Sequence, residues 1–499
     1  MLDVKNLGSP EEFWRYFQEI SKIPRCSWKE EKIREYIKNE AERFNFVVET
    51  DPAGNLIVDV PSNQESTKIF IIQSHMDMVC EKNEDIQHNF SKDPLKLKKI
   101  EFGGDEWITA EGTTLGADNG VGLALSLALM DKINKNEIKL NNINLRLIFT
   151  VNEESGLSGA LHIDKKYIDG DYLVNLDCMD ENSIVVGSTD CEYSMINIKI
   201  KRDSEINKII DFLPVRISVS GLLGGHSGID IHKGRGNAIK ILAEVLKTIE
   251  QKFDCCVVSL EGGESFNAIP REASADIYIK NNQSNEIKNL INSLENCFKK
   301  RFQGYENNIQ INIEYVQEDE LNFNIFQRKI QNKILNILYL LPFGPICWHP
   351  FMENLVHSST NLGTVMSMKN KIQIEIYQRS FNHQNIDFIS DQIKTLLDLA
   401  DITHKISKVG EFTLWKPDLD TKFLKYAQNV YKKLYNTEPQ IRSVHAVLEC
   451  GIFKNKCPNL EIITLGPTIE ACHSPDEKLK ISSVQHTWNF LIALLGQIE

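Results

Sequence analysis

The sequence predicts an α/β fold: a domain with a mostly parallel central sheet, interrupted by an inserted α+β lid domain. Three observations carry this. The strand-length runs Ile69–Ser74 and Leu145–Val151 are almost unbroken apolar, as strands covered on both faces are. Helical spacing at Glu11–Ile23, Trp28–Phe44 and Asn119–Met130 alternates with them, the order expected of a covered parallel sheet. From about Cys191 the texture changes: Ser194–Ile200 and Ala273–Ile279 alternate apolar with polar, the pattern of a sheet with one solvated face.

Taken in order, Asn55–Val60, Ile69–Ser74, Leu145–Val151 and Tyr172–Leu176 read as strands of the first domain. The insert reads as strand Arg216–Val219, helix Asn237–Gln251, strands Cys255–Leu260 and Ala273–Ile279, and helix Glu286–Arg301. A second round follows, with strand Ile309–Tyr315, helix Phe326–Leu340, strands Asn361–Met366 and Ile372–Gln378, and helix Ile389–Ala400. The order suggests two tandem β-α-β-β-α-β units, though no sequence repeat supports them. From about Glu411 the α/β texture returns, with helix Lys422–Tyr435, strand Glu461–Leu465 and helix Ser482–Leu495. The expected domains are therefore 1–187 and 409–499 for the α/β part and 188–408 for the insert.

Composition excludes several classes. The chain has 499 residues, with 56 basic against 69 acidic side chains and a net charge of −13. That argues against a non-specific nucleic-acid or anionic-membrane binder. Hydrophobic content of 42% and charged content of 25% are globular values. Met1–Arg15 lacks the apolar run of a signal peptide. The most apolar window, Ile334–Ile346, is too short to span a bilayer and contains two prolines and a glycine. The 11 cysteines are scattered without a CxxC pair, which reads as reduced thiols in a cytoplasmic protein.

Chemistry gathers at strand ends. Ile69–Ser74 runs into His75-Met76-Asp77. Two residues apart on extended chain, His75 and Asp77 point the same way, so one could bind a metal while the other orients it. Asp118 opens the small-residue helix, where it is a good N-cap or a carboxylate able to bridge two cations. Leu145–Val151 ends in Asn152-Glu153-Glu154, and Tyr172–Leu176 ends in Asp177. Singly, each reads more plainly as a cap or an acidic turn. Together, so many carboxylates at one sheet edge would repel without a cation. The N/O donor mixture suits Zn²⁺, Mn²⁺ or Co²⁺ in a catalytic site, and His473 supplies a second imidazole.

These residues closely resemble the co-catalytic zinc dipeptidase and aminoacylase clan, in its Xaa-His dipeptidase branch. The resemblance rests on SHMDMVCEKN from Ser74, TTLGADNGVG from Thr113, VNEESGLSGA from Val151, Asp177, GLLGGHSGIDIHKGRGNAIK from Gly221, FNAIPREA from Phe266, HAVLECGIF from His445 and CHSPDE from Cys472. It implies two divalent metal ions per chain, zinc first with cobalt or manganese as alternatives. His75 and Asp177 would bind one, Glu154 and His473 the other, with Asp118 bridging. Asp77 would orient His75, and Glu153 would be general base to a water between the metals. His226 would help stabilise the oxyanion; Asn267, Arg271, Arg379 and Glu449 would contact substrate. The substrate implied is a dipeptide with free ends, and the assembly a homodimer through the lid, with His226 acting in its own chain or across the dimer. A tripeptidase or N-acyl amino-acid deacylase is the neighbouring alternative, and a non-catalytic scaffold the remote one. Two departures fall near the expected cleft: His357 stands where the family usually has Glu, and Val447 where it usually has Gly.

Overall fold

The computed structural model describes residues 6–496 apart from 64–65, 84, 142, 204–210, 322 and 410–412. The start of Met1–Arg15 and the return to α/β texture near Glu411 lie outside the described residues. The chain forms two compact units: Met1–Ser188, Trp415–Ser443 and Leu448–Glu499 in the first, Thr189–Leu414 and Val444–Val447 in the second.

The first unit is built on an eight-stranded sheet. Strands Asn144–Thr150, Ile69–His75, Tyr172–Asn175 and Glu461–Thr464 are parallel neighbours at its centre. Leu56–Val60 and Val47–Thr50 extend one side and Ser183–Ser188 the other, all antiparallel. Since the strands leading to His75, Glu153 and Asp177 run the same way, their carboxyl ends share one edge. Helix Ala117–Asn134 lies against strand Ile69–His75, and a Cβ on Gly122 would stand 2.6 Å from that of Ser74. Phe13, Trp14 and Phe17 of helix Glu11–Ile20 are buried in the same core; each such side chain contributes about 1.5–3 kcal/mol.

A smaller sheet went unforeseen. Strands Leu97–Phe102 and Asp105–Ala110 form a hairpin, and Lys478–Lys480 and Ile469–Glu470 continue it antiparallel. The short, polar strands carry little apolar signal, yet they hold the loop containing His473. Ser188 and Trp415, where the chain leaves and re-enters this unit, exchange backbone hydrogen bonds of 2.9 and 3.2 Å.

The second unit holds one nine-stranded antiparallel sheet. Both expected strand groups share it, but strand Ile309–Tyr315, expected to open the second, closes the first instead: Gln310–Tyr315 pairs antiparallel with Val215–Ser220 at the sheet edge. The groups so redrawn meet where Glu261–Gly262 pairs with Val365–Met366. Buried and half-buried residues alternate along Asp190–Lys199 and Lys371–Ser380. Helices Ala238–Lys252, Ser284–Arg301, Arg328–Leu340 and His383–Leu399 contribute to the apolar core with the inward residues.

The cysteine expectation is corrected as well. Cys26 and Cys80 form a disulfide, with Cα atoms 5.8 Å apart, instead of remaining thiols. The chain beyond His75 runs parallel to the segment at Cys26, pairing Met78 with Cys26. That brings together two cysteines separated by 54 residues, a proximity no local spacing encodes. The other nine cysteines are free.

Candidate metal centre and substrate residues

All five expected ligands meet in the first unit, around Asp118. This residue lies in the first turn of its helix at non-helical angles (φ −80°, ψ 110°); Gly116 is the N-cap, with no side-chain cap bond, and both Asp118 oxygens face imidazoles. Asp118 Oδ1 lies 3.0 Å from His75 Nε2, and Oδ2 lies 3.1 Å from His473 Nε2. Asp177 Oδ1 is 3.6 Å from His75 Nε2, and Glu154 Oε2 is 3.0 Å from His473 Nε2. The cluster therefore divides into two groups, each with one imidazole and one carboxylate of its own, sharing Asp118.

Neighbours hold these groups in place. Asp77 Oδ1 sits 3.3 Å from His75 Nδ1. Its two oxygens also accept hydrogen bonds from the backbone of Glu153 and Glu154 and from Ser27 Oγ. Asp77 thus joins the His75 strand end to the turn carrying both glutamates. Asn119 Nδ2 donates to Asp177 Oδ1 at 2.8 Å and to Leu176 O at 2.9 Å.

The electrostatics fit a pair of divalent cations. Against the upward push of burial, the two imidazoles hold Asp118 well below the carboxylate range. Burial, then the Asp118 charge, pushes Glu154 up to about 7, and the same two causes raise Asp177. Burial raises Glu153 well above its ordinary value; Glu154, Asp177 and Glu449 add to this while His75 opposes it. Glu154 Oε1 is buried with no hydrogen-bond partner among the described residues. Crowded, desolvated carboxylates with an orphaned oxygen and two facing imidazoles are the donor set that nearby positive charge would relieve.

The expected substrate residues divide between the units. His226, Asn267, Arg271 and Arg379 belong to the second. There, His226 Nδ1 accepts hydrogen bonds from the backbone N–H of Gly228 and Ile229. This leaves Nε2 to carry the ring proton, 3.4 Å from Arg379 Nη2. Two donors side by side suit a shared acceptor. Asn267 O accepts from Ser227 N at 2.8 Å, beside His226. Arg379 is 3% exposed, lies over the Tyr377 ring, and its Nε makes no hydrogen bond among the described residues. Arg271 packs against the turn at Gly224 and is exposed. His357 is half-buried, its Nδ1 3.0 Å from Ser358 Oγ.

Glu449 lies in the first unit, at the start of helix Glu449–Lys456, and is 1% exposed. Its Oε2 accepts from Gln73 Nε2 at 2.5 Å and Thr150 Oγ1 at 2.8 Å; Asn175 Nδ2 donates to Gln73 Oε1. Burial pushes this acid up to about 8. It belongs to a buried polar layer tying together the strands that end near His75, Glu153 and Asp177. Residue-type reasoning missed Arg25, Ser27 and the roles of Asn119 and Glu477; of these, Asn119 and Glu477 lay in motifs that drew notice.

A parallel-core α/β unit presenting two ligand groups around one carboxylate is the plan of a metallohydrolase. A family model described as peptidase family M20/M25/M40 matches residues 71–497, and the chain belongs to that family of peptide-bond hydrolases. It is 33% identical over 492 residues, 98% of either chain, to a cytosol non-specific dipeptidase of Escherichia coli strain K12. The crystal structure of an aminoacylhistidine dipeptidase from Vibrio alginolyticus matches with a TM-score of 0.75 and 32% identity, covering 100% of this chain and 98% of that one. The di-peptidase Dug1p of Saccharomyces cerevisiae shares the fold, with a TM-score of 0.55 at 14% identity over 99% of this chain and 96% of its own.

Proposed function

We propose that this chain is a two-metal dipeptidase cleaving dipeptides with free amino and carboxyl ends, of Xaa-His type or broader. The observation that carries the reading is the placing of His75 Nε2 and His473 Nε2 within 3.1 Å of opposite oxygens of Asp118. The names of the E. coli and V. alginolyticus relatives support the substrate class. His75 and Asp177 would hold one ion and Glu154 and His473 the other, with Asp118 shared; zinc suits these nitrogen and oxygen donors. Bound divalent ions would supply Lewis acidity to the scissile carbonyl and to the attacking water.

Glu153 takes the proton of that water and delivers it to the leaving amine. Its half-buried place among carboxylates, which raises its affinity for a proton, supports this role. Asp77 orients His75. In the second unit, His226 Nε2–H and Arg379 offer adjacent donors to substrate oxygen, and Asn267 lies beside them. An Arg fork matches the free carboxylate of a dipeptide. Arg271 is a further substrate contact in this reading. Among the described residues no helix is long and apolar enough to cross a membrane. A cytoplasmic location follows the E. coli relative's name, and a homodimer follows the family resemblance.

The test is a colorimetric hydrolysis assay with added Zn²⁺, Mn²⁺ or Co²⁺ over Xaa-His dipeptides, other dipeptides, tripeptides and acetyl-amino acids. Metal-dependent cleavage of free dipeptides is expected. Preference for tripeptides or acetyl-amino acids would replace the substrate class, and metal-independent or absent hydrolysis would overturn the reading.

A further inference from the structure

Glu477 lies in the loop between strands Ile469–Glu470 and Lys478–Lys480, four residues beyond His473, and is 1% exposed. Its Oε2 accepts hydrogen bonds from the backbone N–H of Leu115 (2.7 Å) and Gly116 (2.9 Å). Its Oε1 accepts from Ala117 (2.8 Å) and Asp118 (3.2 Å). One carboxylate thus gathers four consecutive peptide N–H groups, ending at the residue shared by both ligand groups. Each is a charge-assisted bond, stronger than a neutral one.

Arg25 is the matching cation. Its Nη1 donates to Met76 O (3.1 Å) and Asp77 O (2.8 Å), and its Nη2 to Gly116 O. The guanidinium ties the backbone just beyond His75 to the turn just before Asp118. A Cβ on Gly120 would stand 2.7 Å from Arg25 Nη2. Gly120 lies within a helix and has no positive φ. The room it leaves for Arg25 therefore accounts for a glycine where helix propensity would favour alanine.

We propose that Glu477 and Arg25 are positioning residues for the candidate ligands Asp118 and His75, setting metal affinity by fixing the backbone of both without touching the ions. The proposal rests on the metal reading above. Unpaired, a buried carboxylate or guanidinium would cost several kcal/mol. Here each is spent on backbone at a ligand instead of on a direct side-chain pair. Asp118 must aim two oxygens at two imidazoles at once, so a small shift of its peptide would misplace both ligand groups.

The experiment uses the full chain with Glu477→Gln, Glu477→Asp, Arg25→Lys and Gly120→Ala. Zn²⁺ affinity is measured by competition with a chromogenic chelator, alongside the thermal midpoint of the metal-free protein and kcat and KM at rising Zn²⁺. Glu477→Gln and Arg25→Lys are expected to weaken Zn²⁺ binding about 10–100-fold, the usual range for groups that orient ligands. Glu477→Asp should recover part of that loss. With Zn²⁺ raised, kcat should recover while KM stays near the parent value. Gly120→Ala should weaken Zn²⁺ binding too. Folded variants with parental Zn²⁺ affinity and only a lowered thermal midpoint would overturn the proposal. If Glu477→Gln does not fold, Arg25→Lys and Gly120→Ala decide by the same criteria. A parent chain that takes up none of Zn²⁺, Mn²⁺ and Co²⁺ overturns the metal reading and this proposal with it; parent and variants binding equally overturns this proposal alone.

Discussion

The two ligand groups that share Asp118 are built differently. His75 ends a central strand, is 1% exposed, and has Asp77 behind its ring. His473 sits at φ 62° in a loop between two short strands, with its side chain 39% exposed. One group inherits its position from a buried sheet. The other shares that origin for Glu154, whose side chain is 5% exposed, but its imidazole depends on a loop. Depth of burial sets how much local opening a site tolerates, so one centre combines a fixed half with a more yielding one.

The largest effect that bears on this comparison comes from Glu153, which belongs to neither half. Glu153→Ala should cut kcat by about 10³-fold or more, within or beyond the usual range for an acid–base group. Elemental analysis should still find both metals; loss of one would make Glu153 a ligand instead. Next come the halves themselves. His473→Ala should retain about one metal equivalent, while His75→Ala should lose more, because it opens the buried core of the site. Equal losses in the two variants would erase the distinction. Smaller again, graded chelation of the parent should remove metal in two phases, the first abolished by His473→Ala. A single phase would show that exposure does not govern release.

The smallest effect lies in the second unit and serves as a control. Burial, aided by the Arg379 charge, lowers His445 to about 3. The unfolded chain therefore binds a proton between about pH 3 and 6.5 that the folded chain rejects. Stability from this group is present above that window and is lost as pH falls through it, by up to about 1.4 kcal/mol per pH unit. His445→Gln should flatten the acid limb of thermal stability and leave metal content unchanged. An unaltered slope would place the titrating group elsewhere.

Much of this centre was readable because its ligands follow recognisable apolar strands. Ile69–Ser74 points to His75, Leu145–Val151 to Glu153 and Glu154, and Tyr172–Leu176 to Asp177, and parallel strands deliver their ends to one edge. His473 was found only as the second imidazole that the donor set still lacked, since its strands are too short and polar to announce themselves; its pairing with Glu154 came from the family resemblance. Arg25, Glu477 and the Cys26–Cys80 bond were illegible for a different reason. Their partners lie tens to hundreds of residues away and include backbone groups, to which no residue-type pattern points. Glu449 shows the converse: its motif was visible, but only packing reveals the polar layer beneath the strand ends.

The backbone pair between Ser188 and Trp415 closes the first unit over its long insertion. Every candidate ligand lies on one side of that seam. Excising the intervening chain and splicing in a tight hairpin would leave every candidate ligand in one unit, without His226 and Arg379. If the proposed roles hold, such a truncation is expected to keep Zn²⁺ uptake and lose dipeptide hydrolysis; loss of uptake as well would show that the insertion supports the candidate ligands.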